Sequence, residues 1–264
     1  GITGATGLSA LMAFRLTGVR IRIDFDWREI LRLLKIGLPM AALSYVAITF
    51  LSIDTIMIGK MINYHALGLY TIALMSVQQI STLGRFSHII LFPHIQEKYG
   101  ETKSLAASKA YFIRATYALI YLIPLVIAAA VFFVPAVVHY LLPKFTGGVP
   151  SMKILVLGYY FIAVSEMTSS VLFTINKQVS LIPVYLFLVL LAAVMNYFFI
   201  IHGAGIEGVA TATSIAYFFF FVVVSSYAFR HIMNKSELLM LLAAACGSFA
   251  YLWLLVASLD RWIR

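Results

Sequence analysis

Four polar side chains, Gln78, Ser81, Arg85 and His88, follow one another at steps of three, four and three residues inside an apolar run. On a helix that spacing puts all four on one face. A guanidinium is always charged, and its planar fork matches phosphate oxygens. An amide, a hydroxyl and an imidazole beside it complete a set suited to an anionic head group. The stripe therefore reads as a substrate-binding face with Arg85 as its charge. The competing reading is structural: Arg85 pairs with a buried carboxylate, or reaches toward the membrane surface near Glu97.

Two acids stand in other apolar runs. Glu166, among Ser165, Thr168, Ser169 and Ser170, is open to three readings. It pairs with Arg85, titrates as an ion-coupling carboxylate, or sits protonated in an interhelical hydrogen bond. Asp54 lies near the end of its run at Lys60 and either reaches interfacial water or serves as a further pairing or coupling group. Asn196 is expected to tie two helices together by a side-chain hydrogen bond.

Other chemistries find no support. His88 and His94 are six residues apart, off one helical face, and no Cys or carboxylate completes a metal site. No Gly-Lys-Ser/Thr loop cradles a phosphate, so ATP is not the expected energy source. No nucleophile elbow or Ser-His-Asp pattern is present. No catalytic residue, cofactor or metal is expected, and the chain does not read as an enzyme. The single cysteine, Cys246, reads as a small hydrophobe.

The elements that carry these residues follow from composition. Of 264 residues, 62% are hydrophobic and 11% charged, with mean hydropathy +0.98. Soluble domains run at about 45–50% apolar and about 25% charged. A soluble enzyme, a coiled coil and a disordered tail are thereby excluded. A membrane β-barrel needs short alternating segments, and this chain has long unbroken apolar runs. The fold class is all-α, a polytopic transmembrane bundle. Seven spans are expected, near 36–59, 66–92, 111–138, 152–174, 179–201, 205–229 and 238–259. The aromatic run Tyr217 to Phe221 covers all faces of its helix and reads as packing and lipid contact.

The formal charge of +9 does not signal nucleic acid, because the cations fall mainly between the apolar runs. Arg15, Arg20, Arg22, Arg28, Arg32, Lys35, Lys98, Lys103, Lys109, Arg114, Lys177, Arg230 and Lys235 share one side of the expected topology. Lys60, Lys144, Lys153, Arg261 and Arg264 occupy the other. The richer side is expected to be cytoplasmic. Residues 14–35 read as a basic interfacial helix that leads into the first span, facing lipid phosphates.

Residues 1–6, Gly-Ile-Thr-Gly-Ala-Thr, are echoed at 205–211 by Gly-Ile-Glu-Gly-Val-Ala-Thr. Each copy opens an apolar run that ends in basic residues. Repeated helical halves are a common construction of secondary transporters. The echo implies a six-helix repeat with a preceding copy upstream.

Gly37-Leu38-Pro39 opens a span that carries Asp54 and Ile58-Gly59-Lys60 near its far end, followed by Ala66-Leu67-Gly68-Leu69-Tyr70. Later come Asn196, Gly203 and Gly205-x-x-Gly208-Val209-Ala210-Thr211 with Ser214. In order and spacing this series resembles the second half of a polysaccharide (O-antigen type) flippase. Such proteins belong to the multidrug/oligosaccharidyl-lipid/polysaccharide exporter superfamily. The resemblance covers roughly residues 1–230.

It implies two six-helix halves around a central cavity that opens alternately to either side. Residues 1–35 would be the end of a preceding helix and a basic cytoplasmic linker. Residues 36–232 would be the six-helix repeat, and 233–264 an additional helix. The implied activity is movement of a polyprenyl-pyrophosphate-linked oligosaccharide from the cytoplasmic to the periplasmic leaflet of a bacterial inner membrane. Partners would be that substrate, membrane lipids and the missing N-terminal half, with no nucleic acid. A cation-coupled multidrug exporter of the same superfamily is the alternative. A membrane-embedded transferase acting on lipid-linked sugars is a third reading, and the long basic loops at 14–35 and 93–110 lack the acid pair it would use.

Overall fold

The computed structural model describes residues 26–102 and 104–263, without the side chains of 83–88, 90–91, 105–107 and 259–263. The first copy of the echo, the linker arginines Arg15, Arg20 and Arg22, and Arg264 lie outside the described residues. So do the side chains of Arg85, His88 and Arg261.

Seven long helices make up the described chain, and every regular element among the described residues is helical. They are α1 (Trp27–Met57), α2 (Tyr64–Thr102), α3 (Leu105–Leu141), α4 (Val149–Thr174), α5 (Leu181–Ile201), α6 (Gly205–Phe229) and α7 (Lys235–Ile263). A π-turn, Ile58–Ile62, ends α1, and short 3-10 turns precede α4 and α5.

The chain divides at Pro39 into two compact units, Gly1–Pro39 and Met40–Arg264. In the first, the Asp26 side chain accepts the Arg28 backbone N–H at 2.8 Å, capping the start of α1. Residues 27–35 do not form a separate interfacial helix as the basic stretch implied. They belong to α1, which continues without a break through Pro39. No turn residue stands between Trp27 and Gly37 to stop it, and a proline inside a membrane helix is tolerated.

In the second unit α4 is the central helix, packed against α2, α3 and α6, while α5 lies on α6 and α7 on α3. Six helical segments are long and apolar enough to cross a membrane, by length and composition. Against the seven expected, α2 is not among them in the described residues. At 39 residues α2 extends about 58 Å, well past a hydrocarbon layer of about 30 Å. Its last turns carry His94–Glu97 and Lys98–Glu101 pairs at 3.9 and 3.8 Å. Such pairs three residues apart support helix, so most of the loop expected at 93–110 is helical, interrupted only between Thr102 and Leu105.

Burial runs opposite to the habit of soluble proteins. Of the six apolar segments, those of α4 and α6 are the least hydropathic and the most buried, at 83% and 61%. The more apolar segments of α3, α5 and α7 are 28%, 17% and 22% buried. Phe133, Leu125, Phe187, Leu190, Leu239 and Leu254 are among their exposed side chains. Lipid is as apolar as leucine, so the outer helices gain nothing by hiding their side chains, and the inner pair meets through small residues. Gly158 of α4 approaches Ser214 of α6 so closely that a Cβ there would lie 2.6 Å from the Ser214 Cα. The Ser214 hydroxyl donates to the backbone oxygens of Ile154 at 3.1 Å and Ala210 at 2.8 Å.

The turns explain part of the glycine pattern. Between α5 and α6, Gly203 and Gly205 adopt φ of 76° and 59°, a region that glycine enters without a Cβ penalty. The turn after α4 uses Asn176 at φ 54°. There the Lys177 N–H donates to Leu172 O at 2.8 Å and the Asn176 N–H to Phe173 O at 3.2 Å, closing the helix end. Asn63 Oδ1 accepts the Ala66 N–H at 2.7 Å and caps α2.

Candidate functional site

A cavity of about 830 Å³ lies within the second unit, walled by the middle of α1, by α2, α4 and α6, and by Tyr185 of α5. Its polar lining comes from two helices above all. The α2 wall supplies Gln78 and Ser81, and the α4 wall supplies Glu166 and Ser169. The Ser81 hydroxyl donates to Gln78 O at 2.7 Å, and the Ser169 hydroxyl to Ser165 O at 2.8 Å. Each serine thus satisfies its proton on its own helix and leaves oxygen lone pairs for a guest. Gln78 and Glu166 bring the amide and the carboxylate.

The structure therefore places Gln78, Ser81 and Glu166 on one cavity. Arg85 and His88 belong to the same helix α2, and their side chains lie outside the described residues, as does any pairing of Arg85 with Glu166.

The remaining wall is aromatic. Phe50, Tyr185 and Phe220 form one cluster, with ring centroids 5.8 Å apart for Phe50–Tyr185, 5.7 Å for Phe50–Phe220 and 4.9 Å for Tyr185–Phe220. Tyr217 joins it 5.7 Å from Phe50, and Tyr159 lies 6.2 Å from Tyr217. The expectation that Tyr217 to Phe221 serve packing agrees with these contacts, and the cavity wall is a role it did not foresee. Tyr217 and Phe220 face the cavity, Phe221 is fully buried, and Phe219 is the exposed member. Spacing did hold a hint, since Tyr217 and Phe220 are three residues apart, as Tyr159 and Ile162 are on α4.

Asp54 does not reach interfacial water. It is 1% exposed, enclosed between α1 and α2. The Tyr70 hydroxyl donates to its Oδ2 at 2.7 Å. The Thr55 N–H donates to Oδ1 at 2.7 Å, and the Thr55 hydroxyl reaches the same oxygen at 3.3 Å. The first helix is displaced from the surface there because Phe50, Asp54 and Ile58 share its buried face at steps of four. Asn196 also departs from expectation. It is 0% exposed, and neither its Oδ1 nor its Nδ2 has a hydrogen-bond partner among the described residues. No group of three or more His, Cys, Asp or Glu side chains among the described residues could hold a metal ion.

Helices of this length and apolarity around a cavity with polar groups define a multi-pass membrane protein. A family model described as polysaccharide biosynthesis protein matches residues 5–150, more than half of the chain. The chain belongs to that family. The match takes in α1 to α3, and with them the α1 and α2 walls of the cavity, whereas Glu166 lies beyond it. No curated protein and no solved structure matches the chain.

Proposed function

We propose that this protein moves a polyprenyl-pyrophosphate-linked oligosaccharide from the cytoplasmic to the periplasmic leaflet of a bacterial inner membrane, for surface polysaccharide synthesis. The observation that carries the reading is a cavity with a polar edge, built by membrane-length helices, in a chain of the polysaccharide biosynthesis family. Gln78 and Ser81 stand at the cavity. Arg85 and His88 follow them in the register of one helical face and bring the charge that a pyrophosphate requires. A carboxylate at mid-membrane is costly and marks a functional position by default. Glu166 at the cavity and Asp54 in its buried pair with Tyr70 are the residues that couple transport to an ion or to Arg85. No covalent change of the substrate is involved, and the protein acts as a transporter, not an enzyme. A preceding six-helix half, of the kind the internal echo implies, faces this one across the cavity.

A specific feature favours the second reading, a multidrug exporter. Glu166 shares the cavity with Phe50, Tyr159, Tyr185, Tyr217 and Phe220, and an acid among aromatic faces suits a lipophilic cation.

The test is restoration of surface polysaccharide in a bacterial strain that lacks its own flippase, at matched membrane levels of each variant. The native protein restores the polysaccharide, and Arg85→Ala and Gln78→Ala reduce it. Full restoration by Arg85→Ala would remove that residue from the substrate site. Failure of the native protein in strains of several glycan types, with resistance to lipophilic dyes that Glu166→Gln abolishes, would replace the flippase by the exporter.

A further inference from the structure

Helices α4 and α6 both run toward the same end of the bundle, because α5 crosses back between them. Their ends therefore lie side by side. Lys177 occupies the turn after α4, three residues past its last residue, Thr174, and Arg230 directly follows α6. His231 comes next, half-buried, while both cations are exposed. Partial burial, then the nearby charges of Lys177 and Arg230, push the His231 imidazole below its ordinary value. The Arg230 guanidinium carbon stands 4.1 Å over the centre of the Tyr227 ring. A stacked guanidinium keeps its edge N–H donors available in a planar fork.

Cations near helix C-termini are common, since they oppose the negative end of the helix dipole. That accounts for one cation at each end and not for two of them converging on an imidazole. Elsewhere at this end of the bundle the chain supplies an acid. Lys109 of α3 donates to both carboxylate oxygens of Glu237 on α7, at 2.9 and 2.7 Å. Among the described residues neither Lys177 nor Arg230 has an ion pair. The Nε2 atom of His231 likewise has no hydrogen-bond partner among the described residues. A cluster of like charges without an internal anion is suited to one from outside. At the end of membrane-length helices the anion within reach is a lipid phosphate.

We propose that Lys177, Arg230 and His231 form a binding site for the phosphate of an anionic phospholipid head group at this end of the bundle. The two exposed cations hold the phosphate oxygens, Arg230 by its fork and Lys177 as a mobile point charge, and His231 donates from beneath. The site is separate from the transport cavity, and it stands whether or not the substrate reading above holds.

The experiment reconstitutes the protein in nanodiscs of phosphatidylcholine with a minor fraction of phosphatidylglycerol, and counts the lipids retained by native mass spectrometry. The native protein retains phosphatidylglycerol in excess of its share of the bilayer. Each basic side chain at an anionic surface contributes about fivefold to that preference. The double variant Lys177→Gln/Arg230→Gln therefore lowers it at least about fivefold, while Arg230→Lys keeps most of it. The double variant Lys60→Gln/Lys144→Gln removes the same charge from two exposed side chains at the opposite end of the bundle and leaves the preference intact. Equal loss in both double variants would reduce the effect to diffuse surface charge, and no loss in either would overturn the site. Added inorganic phosphate is expected not to displace the lipid; displacement would assign the cluster to soluble phosphate instead.

Discussion

Replacement of Gly158 by alanine tests the packing on which every wall of the cavity depends. The added Cβ would lie 2.6 Å from the Ser214 Cα and closer still to the Ser214 side chain. Carbon–carbon contacts settle at about 3.5–4.0 Å, so α4 and α6 must part by about 1 Å at their crossing. That separation stretches the Ser214 to Ile154 hydrogen bond from 3.1 Å to about 4 Å, beyond useful geometry. Overpacking of this kind costs about 1–3 kcal/mol, and an interhelical hydrogen bond in a membrane protein about 0.6 kcal/mol. Together they give about 2–4 kcal/mol, or a fall in Tm of about 4–16 °C for a chain of this size. Thermal unfolding in detergent, followed by intrinsic fluorescence and by loss of the monodisperse peak, measures it. Ser214→Gly in the same chain removes the clash with the side chain but not with the Cα, and so recovers part of the loss. An unchanged Tm for Gly158→Ala would refute the close crossing of α4 and α6.

Three further outcomes follow from buried and interfacial groups. Tyr70→Phe leaves Asp54 Oδ2 without its 2.7 Å donor and lowers stability by about 1–3 kcal/mol; adding Asp54→Leu recovers part of this in a double-mutant cycle of Tm values. Asn196→Leu places an apolar group where two polar atoms are buried without partners, and the expected result is a higher Tm by about 2–4 °C per kcal/mol gained, with a lower Tm counting against the assignment. His231 has a depressed value in the folded state, so the unfolded chain binds its proton first as pH falls. Stability is then full above the ordinary histidine range and declines as pH drops from about 6.5 toward the folded value, and a Tm-versus-pH profile for His231→Gln that lacks this decline supports the reasoning.

Much of the fold was legible in composition and run length, because a helix in lipid must satisfy its own backbone and few architectures do so. The positions of α3 to α7 follow from apolar runs punctuated by Pro143, Asn176, Gly203 and Gly205. The first two helices were read less well. The basic segment before Gly37 continues α1, and the charged segment after Pro93 continues α2, because neither a charged stretch nor a proline ends a helix by itself. Within the site, the three-and-four spacing found Gln78 and Ser81, and an isolated acid found Glu166. The aromatic wall was missed because Phe50, Tyr185 and Phe220 come from three different helices, which no spacing within one of them joins.

Burial supplies the contrast that periodicity lacks. In water an apolar face is driven inward; in lipid that drive is absent, and only groups that lipid cannot accept are pushed inside. The least apolar segments, those of α4 and α6, are accordingly the most buried of the six. Between them they hold Ser151, Ser165, Thr168, Ser170, Thr174, Thr213 and Ser225 in the interior. Several of these hydroxyls bond back to carbonyls three or four residues earlier, as Ser165 does to Phe161 at 2.6 Å and Thr174 to Ser170 at 2.9 Å. Such a helix can stand in a protein interior without a polar partner on another helix. It can also turn one carboxylate, Glu166, toward a cavity shared with its neighbours. The same physics that hides the polar helices therefore sets the polar edge of the cavity at the centre of the bundle. In a chain like this one the relative polarity of its spans locates the cavity better than the periodicity within any one of them.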